Sequence, residues 1–360
     1  MLFFVLTAEV AALLFFGIKI ARFDILEFRD VGISGNNTST DAAVDIMEES
    51  VFVPEALTWQ AATIQASWPE RDAHTALTFN DKMWVLGGLG QGSPEYGLKF
   101  HKADVWSSEN GKDWGLVLDE APWGKRRAHA SAVFQDKMWI LGGFEAKSAE
   151  HKNDVWFSSD GKRWEQATDS AGWRPRRGHS VVVFQDKIWI FGGVDDTVGA
   201  MNDVWYSEDG ISWSAATQKA PWSKRYDQAA VVFNDKIWLT GGVEPGNPGE
   251  KDIWISEDGK RWDLVSDNAP WPGRHGHCAL SYKDMIFIVG GWNGEGKGFN
   301  DVWYSKDGEV WLKTKKDGPW KGREDHACFV FQDKMWILGG MPTSRQRTSD
   351  AWYSSEEIME

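Results

Sequence analysis

The sequence predicts an all-β chain, a six-bladed β-propeller with four antiparallel strands per blade and a last blade closed by an N-terminal outer strand. Two observations carry this. The first is repetition: the pair Gly-Gly starts at Gly87, Gly142, Gly192, Gly241, Gly290 and Gly339. Asp-Val-Trp or a near variant starts at Asp104, Asp154, Asp203, Asp252, Asp301 and Asp350. Several markers kept in phase over a period of about fifty residues signal a repeat architecture. The second is composition, with 24 Trp and 37 Gly against 2 Cys in 360 residues. Large flat side chains and many tight turns suit short strands packed sheet on sheet. Two cysteines supply no disulfide framework, so the core must hold the fold.

The third repeat shows the four strands. Residues 179–184 (HSVVVF) form a near-continuous apolar run, as expected of an innermost strand buried on both faces. Gln185-Asp186 makes the turn, since Asp and Asn tolerate the left-handed backbone such turns often need. Residues 188–191 are the second strand and end at Gly192-Gly193; residues 203–207 (DVWYS) are the third. Asp209-Gly210 turns the chain into the outer strand from Ser212 onward. The sixth repeat stops after residues 352–355 and lacks an outer strand. Residues 57–68 (LTWQAATIQASW) match the outer segment 162–173, with Trp59 and Trp68 spaced as Trp164 and Trp173. The N-terminal segment is therefore expected to complete the sixth blade, which removes an exposed sheet edge.

Cys278 and Cys328 lie on adjacent repeats one residue apart in register. That offset points them to different faces of their strands, so the expectation is two buried free thiols. The domain limits follow from the same pattern: 1–29 an apolar signal- or anchor-like segment, 30–56 a polar acidic linker, 57–360 the propeller. Residues 1–18 are apolar apart from Thr7 and Glu9. They read as an export signal or membrane anchor within residues 1–20, hence an exported or membrane-anchored, extracytoplasmic protein, with a cytoplasmic protein as the alternative. The net charge of −14 disfavours nucleic acid as a partner.

Arg-x-x-His, then Asp-Lys-x-Trp, then Gly-Gly, then Asn-Asp-Val-Trp resembles kelch repeats, over roughly residues 57 to 355. The chain is expected to be a closed, monomeric propeller, and the resemblance does not fix a function, because such propellers include adaptor domains, galactose oxidase and a sialic acid mutarotase. Nothing like the copper ligation of galactose oxidase is visible, and no cofactor is expected.

The short, nearly identical turns within each repeat read as scaffold, whereas the connections after Gly-Gly vary and are the candidate binding loops. The first of these, 89–103, is the longest and carries Tyr96, Phe100 and His101; Trp292 opens the fifth. On the same face each repeat supplies one Arg: Arg71, Arg126, Arg176, Arg225, Arg274 and Arg323. In similar kelch domains this Arg borders the central mouth and contacts anionic groups. The alternative is pairing with the six Asp of Asp-Val-Trp, since six free guanidinium groups would repel one another. The next position is where the repeats disagree: Asp72, Arg127, Arg177, Tyr226, His275 and Glu324, followed by Asp227 and Asp325 in two repeats. The mouth is therefore expected to be electrically lopsided. His74, His129, His179, His277 and His326 stand three residues after the Arg, with Gln228 in the fourth repeat. They read as structural hydrogen-bonding groups, not as metal ligands. The functional expectation is a non-catalytic module binding a protein or glycan at this face. The alternative is an enzyme similar to N-acetylneuraminate epimerase, with Arg holding a carboxylate and Glu324, Asp325, Asp72 or His275 as acid–base groups.

Overall fold

Six antiparallel blades of four strands are built on second strands buried almost throughout, such as Lys187–Phe191. The inner strands, expected to be buried on both faces, instead alternate buried with half-exposed or exposed positions, as in Ser180–Phe184. In the computed structural model, which describes residues 52–92, 99–244, 246–247, 249–342 and 346–356, the third blade runs Ser180–Phe184, Lys187–Phe191, Val204–Ser207, Ser214–Thr217 in spatial order. The inner strands Thr75–Phe79, Ala130–Phe134, Ser180–Phe184, Ala229–Phe233, Cys278–Tyr282 and Ala327–Phe331 each touch the next, and the last touches the first. The ring is closed. Both residues of every inner hairpin turn, such as Gln185 and Asp186 at φ 49 and 55, are left-handed, as the turn chemistry predicts.

Leu57–Thr63 pairs antiparallel with Ala351–Glu356, Leu57 opposite Glu356 and Ala61 opposite Trp352, and supplies the outer strand of the sixth blade. Residues 52–56, the end of the segment expected to be linker, already lie on the propeller. The Phe52 ring sits 5.5 Å from that of Tyr282 and 6.5 Å from that of Phe287, and Glu55 accepts a hydrogen bond from Tyr304. The apolar segment and the linker up to residue 51 lie outside the described residues. Among the described residues no helix is long and apolar enough to cross a membrane.

One expectation is corrected. Cys278 and Cys328 form a disulfide, with Cα atoms 6.1 Å apart. Cys278 is the first residue of its inner strand and Cys328 the second of the next. Opposite faces are what the contact requires, because blades stack face on face: one side chain must point forward and its partner backward.

Candidate functional site

The six ring arginines are structural. Each is 0–2% exposed. Each is bidentate to the Asp of its own blade: Arg71 to Asp104, Arg126 to Asp154, Arg176 to Asp203, Arg225 to Asp252, Arg274 to Asp301 and Arg323 to Asp350, at 2.5–2.9 Å. Nη1 also donates to the carbonyl of the first Gly of Gly-Gly, as Arg176 does to Gly192 at 2.7 Å. The Asp accepts in turn from the following Trp, Trp205 Nε1 to Asp203 at 2.7 Å. Burial alone would push Asp203 up, yet the hydrogen bonds and charge of Arg176 hold it below its ordinary range. The pairing alternative is thus the geometry found, and it withdraws Arg71, Arg126, Arg176, Arg225, Arg274 and Arg323 from a ligand surface.

Two residues further along, the chain makes a belt. The N–H of Ala128 donates to Ala73 O, Gly178 to Ala128 O, Asp227 to Gly178 O, Gly276 to Asp227 O, Asp325 to Gly276 O and Ala73 to Asp325 O, all at 2.7–3.0 Å. This closed circle of six backbone hydrogen bonds explains why all six residues are left-handed, at φ 48–62. It also fixes the residues between Arg and belt in a ring around the mouth. Each is bridged to the residue after Gly-Gly: Asp72 to Leu89, Arg127 to Phe144, Arg177 to Val194, Tyr226 to Val243, His275 to Trp292 and Glu324 to Met341.

The mouth is lopsided. Arg127 and Arg177 are half-buried, with guanidinium groups 5.6 Å from the Phe144 ring and 5.7 Å from the Tyr226 ring. Neither is in an ion pair among the described residues. On the other side His275 Nδ1 lies 3.6 Å from Glu324 Oε2. Burial pushes Glu324 up to about 8, helped by the charges of Asp227 and Asp72, and pushes His275 down against the opposing effect of Asp227. Both shifts favour the uncharged forms, a protonated acid beside a neutral imidazole. Asp72 is closed off by Arg347, whose Nε donates to it at 2.8 Å. Trp292 is half-buried at the rim beside His275, and Tyr96 lies outside the described residues.

Sequence reasoning missed Arg347 and His151, and singled out His101 only as part of a loop. All three stand three residues before the Asp of Asp-Val-Trp and all are buried, at 8%, 8% and 1% exposure. His151 Nδ1 approaches Asp196 at 3.8 Å, and the rings of His101 and His151 flank Phe144 at 5.9 and 5.6 Å. The other three blades have Ala200, Gly249 and Gly298 there. Aligning the repeats at that column would have found the signal: blades six, one and two are capped, and blades three to five are left open over Tyr226, His275 and Glu324.

Below the belt, Gln228 Nε2 donates to Phe191 O of the preceding blade at 2.7 Å, and the rings of His129 and His277 meet the hydroxyls of Thr75 and Thr240 of theirs at 3.0 and 2.9 Å. Burial, with the adjacent ring arginines, pushes His129, His179 and His326 down to about 3. Among the described residues no three His, Cys, Asp or Glu side chains converge to ligate a metal.

No curated protein gives a significant match. The solved structure of YjhT is similar, with a TM-score of 0.65 at 18% identity over 81% of this chain and 96% of that one, a likeness of fold. The model of the KLHDC2/KLHL20/DRC7 kelch-repeats domain matches residues 128–340. With six blades, the Arg–Asp–Trp connection in each and this match over more than half its length, the chain belongs to the kelch-repeat β-propeller family.

Proposed function

We propose that the propeller is a binding module whose mouth takes an anionic group of a protein or glycan ligand. One observation carries this: two guanidinium groups, Arg127 and Arg177, flank the mouth with no carboxylate paired to them among the described residues, while six others nearby are fully paired. Tyr226, His275 and Trp292, in the uncapped sector, offer aromatic faces and hydrogen-bonding groups to the rest of the ligand. Peptide and glycan arrays identify the class. Arg127→Ala combined with Arg177→Ala should then weaken binding of the anionic hit by about 100-fold or more, since each charge-assisted hydrogen bond lost is worth about 1.5–3 kcal/mol. The melting temperature should change little. Unchanged affinity refutes the assignment.

The Glu324–His275 pair favours a second reading, a sugar-acid mutarotase. With a substrate carboxylate on Arg127 and Arg177, neutral His275 would accept the anomeric O–H proton while protonated Glu324 donates to the ring oxygen. The ring opens and recloses on the other face, with both protons returned. Polarimetry or NMR of freshly dissolved sialic acid and other reducing sugars tests this. No acceleration by the protein removes the enzymatic reading and leaves the binding one.

A further inference from the structure

On the propeller axis, at and below the belt, lies a cavity of about 150 Å³. Asp227, Asp325, Gln228 and the inner-strand imidazoles line it, and no Lys or Arg does. The imidazoles contribute no positive charge, because burial and the neighbouring ring arginines keep them neutral. Asp227 and Asp325 are ion-paired to nothing among the described residues. Glycines let them lie across the belt: a Cβ on Gly178 would stand 2.4 Å from Asp227 Oδ1, and one on Gly276 2.7 Å from Asp325 Oδ1.

Gln228 gives an independent indication. It is 6% exposed, and its Nε2 bond to Phe191 O fixes the amide orientation. Its Oε1 is left buried without a hydrogen-bond partner. An orphaned buried acceptor is destabilising, and a carboxylate in a recessed site without an ion-pair partner is more so. Neutral imidazoles supply only uncharged N–H donors here. Burial raises the pKa of Asp227, and burial with the charges of Asp227, Glu324 and Asp72 raises that of Asp325. Two crowded carboxyls and Gln228 Oε1 around one small space form a set that a bound cation would relieve. The space has the volume of about five water molecules.

We propose that this axial cavity binds a monovalent cation of ammonium type, held by Asp227, Asp325 and Gln228 Oε1. The cation is either a free ion such as NH4+ or K+, or the protonated primary amine of a bound ligand. Neither Arg127 nor Arg177 lines this cavity, although their charges reach Asp227 and that of Arg127 reaches Asp325.

The test is the melting temperature of the full chain at pH 8.5 in choline, potassium, ammonium or n-butylammonium chloride at one ionic strength. Choline, too bulky for the cavity, is the reference. A saturable rise of about 2–4 °C over choline is expected with a fitting cation. A rise with ammonium or potassium alone assigns a free ion; a rise with n-butylammonium assigns a ligand amine. Asp227→Asn with Asp325→Asn should abolish the difference between salts. Gln228→Leu, which keeps both carboxylates and carries the test if the double variant does not fold, should raise the half-saturating concentration about tenfold. Equal melting in all four salts overturns the proposal, as does a salt response that survives in both variants. The Arg127→Ala, Arg177→Ala protein should retain the response, so failure of one assignment leaves the other standing.

Discussion

Arg176 and Arg177 are adjacent in sequence and opposite in role. Arg176 is fully buried, with Asp203, the Gly192 carbonyl and the Arg174 carbonyl around its guanidinium; Arg177 is half-buried at the mouth. Removing one partner of a buried, hydrogen-bonded ion pair typically costs about 3–5 kcal/mol. Arg176→Ala should therefore lower stability by that order in chemical denaturation, whereas Arg177→Ala should cost under about 1 kcal/mol. Equal losses would mean that Arg177 is also a framework residue. Glu324 gives a pH signature. Its folded pKa of about 8 lies above its unfolded value, so the folded chain holds the proton more tightly than the unfolded one. Its contribution is complete below the unfolded pKa and fades as pH rises toward and through 8. Glu324→Gln should thus leave stability at pH 4 nearly unchanged and raise it at pH 9 by up to about 4–5 kcal/mol, read from urea midpoints.

Between blades, the packing rule is tryptophan over glycine. Trp84, Trp139, Trp189 and Trp238 on second strands each cover the Asp-Gly turn of the next blade, and Trp336 covers the Asn110-Gly111 turn of the first. A Cβ on Gly259 would stand 2.2 Å from Trp189, which is why the turn glycine is needed for packing as well as for its φ of 70. The fifth blade breaks the rule with Phe287. The sixth blade has no Asp-Gly turn, because its outer strand comes from the N-terminus, and Phe52 packs against Phe287 instead. The disulfide links the same two blades. Cys278→Ser should lower the melting temperature of the oxidised protein, by about 2–4 kcal/mol in stability if the 50-residue closure follows chain-entropy behaviour. In wild type, thiol titration under denaturing, non-reducing conditions should find no free cysteine.

At the scale of the whole molecule, closure rests on residues 57–68. Trp59 and Trp68 are 9% and 1% exposed, and Leu57 is 1% exposed, all buried against the rest of the propeller. A chain beginning at Pro69 would uncover these contacts and expose the Ala351–Glu356 edge. At roughly 2–3 kcal/mol per large apolar side chain, the loss exceeds about 6 kcal/mol. Calorimetry should show the single cooperative transition lost or strongly lowered, and adding the 52–68 peptide in trans should partly restore it.

The repeat period, the hairpin turns and the completion of the sixth blade were legible in the sequence, because each depends on local chemistry recurring in register. So was the charge asymmetry after each ring Arg, since it is a disagreement among otherwise identical repeats. What joins separate blades was not legible. The Arg–Asp pairs span 27 to 33 residues, and sequence could only set pairing against a free ring. The cysteine bridge was misjudged because a register rule for one sheet was applied across two blades stacked face on face. Arg347 over Asp72 spans 275 residues and exists only because the ring closes. The sequence by itself determined the blade and the number of blades, since strands and turns are set by neighbours along the chain. Only the tertiary structure decided which charges face one another at the mouth, because ring closure brings the sixth blade against the first and the belt sets all six on one axis.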